Sequence, residues 1–166
     1  MKYLGERSLS SVISKILHVA WYVVFIMSIV AFVFGTAYFI LRIIQNPTAL
    51  EITNTIHAEL KNDSDWQGFS SIHPAFMVLI APYFILVVGL LLKVLTKARF
   101  LFNNFKKNIV FEERNVEIIS SMSKLMIAYS ILTFDFSSLM VSVLMLILCE
   151  IFKNGTALQK EHDLTV

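Results

Sequence analysis

The chain has one cysteine, three prolines and five glycines among 166 residues, and only 16% of its residues are charged. Each scarcity closes off a class of function. Cys149 has no second cysteine to pair with and lies inside an apolar run, so neither a disulfide framework nor a thiolate metal site is available. The glycines form no phosphate-cradling loop, and no serine lies in a Gly-x-Ser-x-Gly turn. His18, His57, His73 and His162 are scattered, with no spacing that sets two on one helix face, so no metal or other cofactor is implied. A formal charge of +2, spread between apolar runs, is too small and too dispersed for direct nucleic-acid binding. No nucleophile, metal cluster or carboxylate pair marks an enzyme.

What is abundant is apolar side chain, 57% of residues with 14 phenylalanines, more than one small core can bury. Lipid is the solvent that accepts the excess, provided the apolar residues come in runs of roughly 17 to 25. They do, and the reading is an all-α integral membrane bundle of four transmembrane helices in a single membrane domain covering residues 1–166. The first span is expected at about 19–44, with Trp21, Tyr22 and Tyr38 suited to the two interfaces, and it reads as a retained anchor rather than a cleaved signal. The second is expected at 75–95, where Pro82 predicts a kink. The apolar region from 118 to 152 is too long for one crossing. Asp135, Ser137 and Ser138 predict a turn that divides it into spans at 118–133 and 136–152, both near the lower length limit, with a re-entrant pair as the competing geometry. Residues 45–74 read as an external loop, with a short interfacial helix expected within 49–60.

Orientation follows from the cations. Lys2, Arg7 and Lys15 precede the first span, and Lys97, Arg99, Lys106, Lys107 and Arg114 crowd the 96–117 loop, whereas the 45–74 loop has only Lys61. The excess of positive charge predicts a basic cytoplasmic loop at 96–117, a cytoplasmic N-terminus and, after four spans, a cytoplasmic tail at 153–166. The basic loop, where Phe100, Leu101 and Phe105 alternate with cations, suits a surface of anionic headgroups, so membrane lipid is the first partner expected.

Ionisable residues inside apolar spans are the default place to look for function, because an uncompensated charge in lipid is costly. Lys93 lies close enough to a span end to snorkel, and Asp135 falls in the predicted outer turn. Lys124 and Glu150 each fall inside the cytoplasmic ends of adjacent antiparallel helices, and they are expected to form an intramembrane ion pair that locks the hairpin or lines a polar pathway. Ser120, Ser121, Ser123, Ser137, Ser138 and Ser142 are expected to pack or to bond helix backbones, and Ala31 with Gly35 offers one close-approach spacing.

Two motifs carry a family resemblance. The stretch Leu148-Cys149-Glu150-Ile151-Phe152-Lys153-Asn154-Gly155, continuing through Leu158-Gln159-Lys160-Glu161-His162 to Asp163-Leu164-Thr165-Val166, resembles the ending of the bacterial membrane proteins called domain-of-unknown-function family 2975. Phe111-Glu112-Glu113-Arg114-Asn115 is similar to that family's Pro-Phe-x-x-x-Asn motif before the third span, with Val110 at the proline position. The resemblance implies a four-span protein of the bacterial inner membrane, without established activity, whose genes often neighbour a small helix-turn-helix regulator. Topology brings both motifs to one cytoplasmic face. Phe111, Asn115, Leu158, Asp163, Leu164, Thr165 and Val166 are therefore expected to form a recognition surface for a cytoplasmic protein, the alternative being a tail that is merely solvated once Gly155 ends the fourth helix. The function expected is that of an interaction or regulatory component linked to a helix-turn-helix transcription regulator. The rival is a small transporter, channel subunit or immunity-type membrane protein in which Lys124 and Glu150 face a polar cavity.

Overall fold

The structure, a computed structural model, describes residues 3–5, 8–44, 47–73 and 76–164. Lys2, Arg7, Pro74, Ala75, Thr165 and Val166, which enter the expectations above, lie outside the described residues. The protein is all-helical: α1 (Leu9–Ile44), α2 (Pro47–Glu59), α3 (Ser64–Ser71), α4 (Met77–Lys106), α5 (Glu113–Thr133) and α6 (Phe136–Leu164). Of these, α1, α4, α5 and α6 are long and apolar enough to cross a membrane, which makes this a multi-pass membrane protein. The short helix expected in the first loop forms as α2, and α3 follows it with Asp63 as its N-cap, the carboxylate accepting from the N–H groups of Asp65 and Trp66.

The last two spans are longer than apolarity alone predicts. Helix α5 starts at Glu113 rather than near residue 118, and its 21 residues reach about 32 Å, enough for the hydrocarbon core. The added turn is charged, so a hydropathy reading omits it, but backbone hydrogen bonding does not depend on side-chain polarity. The predicted break falls at Phe134 and Asp135. Phe134 takes a left-handed conformation (φ 53°, ψ 34°) and, with Asp135, returns its N–H to the Ser130 carbonyl, ending α5. Asp135 then caps α6, accepting from the Ser138 hydroxyl at 2.5 Å and the Ser137 N–H at 2.9 Å. Those two donors, the hydroxyl foremost, hold the Asp135 carboxyl below the usual aspartate range. Phe134 and Phe136 flank the turn and are 90% and 78% exposed, a disposition suited to an aromatic anchor at the membrane interface.

Contacts gather the chain into two compact units. One comprises residues 26–86. In it Tyr38 and Phe39 of α1 meet Trp66 and Phe69 of α3, with ring centroids 4.9 to 6.0 Å apart. Arg42 lies 5.9 Å from the centres of the Tyr38 and Phe39 rings and donates to the carbonyls of Ser70 (2.8 Å) and Ile72 (3.3 Å) at the end of α3. A cation at the end of a predominantly apolar span is thereby matched to the carbonyl-rich, negative end of a short helix. Among the described residues no neighbouring atom lies within 4 Å of a Cβ built on Gly35, so no second helix packs on that glycine.

The other unit, residues 1–25 and 87–166, holds the tightest packing. Val94 and Ala98 of α4 and Met122 of α5 form its apolar centre, against Leu17, Ile118, Leu125, Met126 and Met145. Ser123 and Ser142 are fully buried, and their hydroxyls donate to carbonyls of their own helices at Ser120 (2.8 Å) and Leu139 (2.6 Å). Small side chains that satisfy their own polar atoms let α5 and α6 approach closely without an unpaired group in a dry interface.

Candidate functional site

The hairpin turn supplies a ruler for depth. About 30 Å of helix, or 20 residues, leads from Phe136 along α6 to Gly155 and from Thr133 back along α5 to Arg114, so these positions stand level at the far edge of a bilayer core. Beyond that edge the structure remains ordered by specific contacts. Helix α6 does not stop at Gly155; it continues to Leu164, so the tail expected to be a polar extension is helical.

Three features tie the extension to the α4–α5 loop. The Phe111 ring lies on the bare backbone of Gly155, where an added Cβ would come within 2.5 Å of two ring carbons. Phe152, one turn earlier on α6, packs between Phe105 (5.7 Å) and Phe111 (5.5 Å). One turn beyond, Lys160 donates to the Glu113 carboxylate at 2.5 Å, across the start of α5. Both charges are largely exposed, so this bridge fixes geometry more than it adds stability.

Asn115 is the bracket beneath them. Its Oδ1 accepts from Asn104 Nδ2 (2.7 Å), and its Nδ2 donates to the carbonyls of Ile109 (3.0 Å) and Val110 (2.8 Å). The side chain is fully buried. It therefore corrects the expected recognition surface: Asn115 holds the loop from inside and offers nothing to a partner. A primary amide fits because it presents donors and an acceptor from one planar group, matching two loop carbonyls and the Asn104 N–H at the end of α4. Asn108, left-handed at φ 61°, helps fold the loop back, with the Ile109 N–H returning to the Asn104 carbonyl at 3.0 Å.

The remaining predicted surface residues divide. Phe111 is packed on one side and open on the other, and Leu158 is 67% exposed on α6. Asp163 and Leu164 belong to the last turn of α6. Two depressions flank Phe111: one of about 410 Å³ lined by Glu112, Arg114, Thr156, Gln159 and Lys160, and one of about 370 Å³ reaching Asn108 and Ile109. The sequence reading missed Asn104, Phe105, Phe152, Gly155 and Lys160 as members of this assembly. A legible signal existed in the shared motif membership of Phe152 and Gly155, but a glycine near a span end reads more readily as a helix stop.

Lys124 and Glu150 are not paired in the way the sequence predicts. Measured from the turn, Lys124 lies about 14 Å along α5 and Glu150 about 21 Å along α6, an offset near 7 Å. Glu150 instead meets Lys153 at 3.7 Å on its own helix. Lys124 and Glu150 do line one open groove of about 540 Å³ with Glu117, Ser120, Ser121 and Lys153. Cys149 lies in the same groove, its thiol 3.7 Å from the Val116 carbonyl. Replacing Lys124 and Glu150 singly and together with leucine should give stability changes that add to within about 0.5 kcal/mol in detergent unfolding. A coupling well above that would restore the direct pair.

Among the described residues no group of three or more His, Cys, Asp or Glu side chains is placed to hold a metal ion. No family model, no curated protein and no solved structure matches the chain.

Proposed function

We propose that this protein is an interaction component of the bacterial inner membrane whose α6 extension and α4–α5 loop present a docking surface to a cytoplasmic protein. The observation that carries this reading is the preformed α6 extension. At 29 residues α6 is about 43 Å long, some 13 Å more than a bilayer core requires, and the surplus is pinned by Phe111, Gly155 and the Lys160–Glu113 bridge while Leu158 stays exposed. An apolar side chain on an anchored, otherwise polar helix brings no backbone ordering cost when a partner arrives, which favours recognition.

The surplus of cations before the first span and in the 96–117 loop supports a cytoplasmic location for this surface and for both termini. The likeness of the Phe111 to Asn115 segment and of the α6 tail to domain-of-unknown-function family 2975 supports membership of that family, and with it a helix-turn-helix transcription regulator as the partner class. A transport function has less support: the groove holding Lys124 and Glu150 is an open flank of the α5–α6 hairpin, and Glu150 is satisfied locally by Lys153.

A photo-crosslinking residue at Leu158, introduced in native membranes, should yield a reproducible adduct with one soluble protein, while the same probe at Ile131, near the opposite end of the hairpin, should not. Absence of an adduct at Leu158, or equal adducts at both positions, would overturn the docking surface. Reporter fusions after Asp63 should be external, and those after Lys107 and at the C-terminus internal; the reverse pattern would place the surface on the wrong side for a cytoplasmic partner.

A further inference from the structure

We propose that the groove between the N-terminal half of α1 and the C-terminal half of α4 binds the headgroup of an anionic phospholipid in the cytoplasmic leaflet. The groove is about 500 Å³ and, among the described residues, its charged lining consists of Lys15 and Arg99, with no acidic residue. Neither cation takes part in an ion pair among the described residues. Ser14 and Asn103 add polar groups beside them.

Two further side chains point to a ligand rather than to a generally basic surface. His18 and Trp21 both line this groove, and their Nδ1 and Nε1 atoms are buried from solvent with no hydrogen-bond partner among the described residues. The Trp21 nitrogen can only donate, and an imidazole Nδ1 donates in one neutral tautomer and in the charged form. Their rings are fixed: Trp21 stacks on Phe25 at 5.2 Å, and His18 meets Tyr22 edge-on at 5.0 Å. Two cations beside two unsatisfied ring nitrogens suit an anion with several acceptor oxygens, the chemistry of a phosphate ester.

Depth selects the source of that phosphate. The first apolar run begins at Val19, next to His18, and the second ends at Leu95, next to Thr96, so the groove straddles the line where hydrocarbon gives way to headgroups. Lys15, Arg99 and Asn103 lie on the polar side of that line, and Trp21 and Tyr22 on the apolar side. Exposed Val19 and Val23 continue along α1 as a surface for an acyl chain. A zwitterionic headgroup would bring its own ammonium towards Lys15 and Arg99, whereas a headgroup with net negative charge would not.

The test is native mass spectrometry of the full chain in detergent, titrated with phosphatidylglycerol and, separately, phosphatidylcholine of identical acyl chains. Phosphatidylglycerol should bind about tenfold more tightly, and the Lys15→Gln, Arg99→Gln double variant should lose that preference. Lys106→Gln, Lys107→Gln, which removes the same charge elsewhere, should retain it. Trp21→Phe, which keeps the ring packing and removes the N–H, should weaken phosphatidylglycerol binding several-fold and serves if the charge variants fail to fold. Equal retention of both lipids, or equal loss in the Lys106 and Lys107 control, would overturn the site. Displacement of the lipid by excess inorganic phosphate would identify a soluble anion as the occupant and overturn the lipid assignment.

Discussion

Replacing Asn115 with alanine should destabilise the protein by about 3 kcal/mol, because it strands three polar groups at once in a buried setting. Asn104 Nδ2 loses its acceptor, and the Ile109 and Val110 carbonyls lose their donor. Each is paired to an amide that is itself fully buried, so its loss opens a void beneath the loop in which these groups have no protein partner. Asn115→Asp is the sharper probe. It keeps shape and can still accept from Asn104, but it faces two carbonyls with oxygen instead of N–H, so it should be at least as damaging as alanine. Thermal unfolding in detergent measures the loss, and limited proteolysis should find new cleavage between residues 107 and 112 while the α5–α6 hairpin stays protected. Unchanged stability and an uncut loop in Asn115→Ala would remove the residue from its bracketing role.

The fold was legible to the extent that it depends on long apolar runs and on local chemistry. The turn at Asp135 was readable because an aspartate followed by serines within an overlong apolar stretch has few other uses, and capping is a local interaction. The ends of α5 and α6 were not readable, because hydropathy marks where lipid begins and not where a helix does; the charged turn at Glu113 and the polar one past Gly155 are helical all the same. Asn115 reads in the sequence as part of a contact surface, whereas the structure buries it. Burial of an asparagine is a tertiary fact, fixed by where the loop carbonyls of residues 109 and 110 fall, and nothing within the Phe111 to Asn115 segment announces it. Matching Lys124 to Glu150 failed for a related reason. Their distances from the apolar ends look alike, but depth is measured from the turn, and the two helices use different numbers of residues to reach these positions.

Gly155 offers a prediction in which the sign of an effect reverses. In a helix interior, glycine to alanine normally stabilises by about 1 kcal/mol, since alanine restricts the unfolded chain more. At Gly155 the new Cβ would fall 2.5 Å from Cδ1 and Cε1 of Phe111, a separation that real contacts do not reach, so the ring has to leave or the loop has to lift. The outer face of Phe111 is open, and swinging outward is the cheaper response; it forfeits the packing against Phe152. Overpacking and lost aromatic contact together cost about 2 to 3 kcal/mol against the helix gain, leaving Gly155→Ala destabilised by roughly 1 to 2 kcal/mol. In a Phe111→Ala background the obstacle is absent, and the same substitution should stabilise. A double-mutant cycle by detergent unfolding should therefore give a coupling of about 2 to 3 kcal/mol, with Gly155→Ala changing sign between the two backgrounds. The same substitution in an otherwise native chain should insert all four spans yet weaken crosslinking from Leu158, because it disturbs the loop that holds the α6 extension. Stabilisation by Gly155→Ala alone would mean that Phe111 does not seat on α6, and the preformed docking surface would lose its principal support.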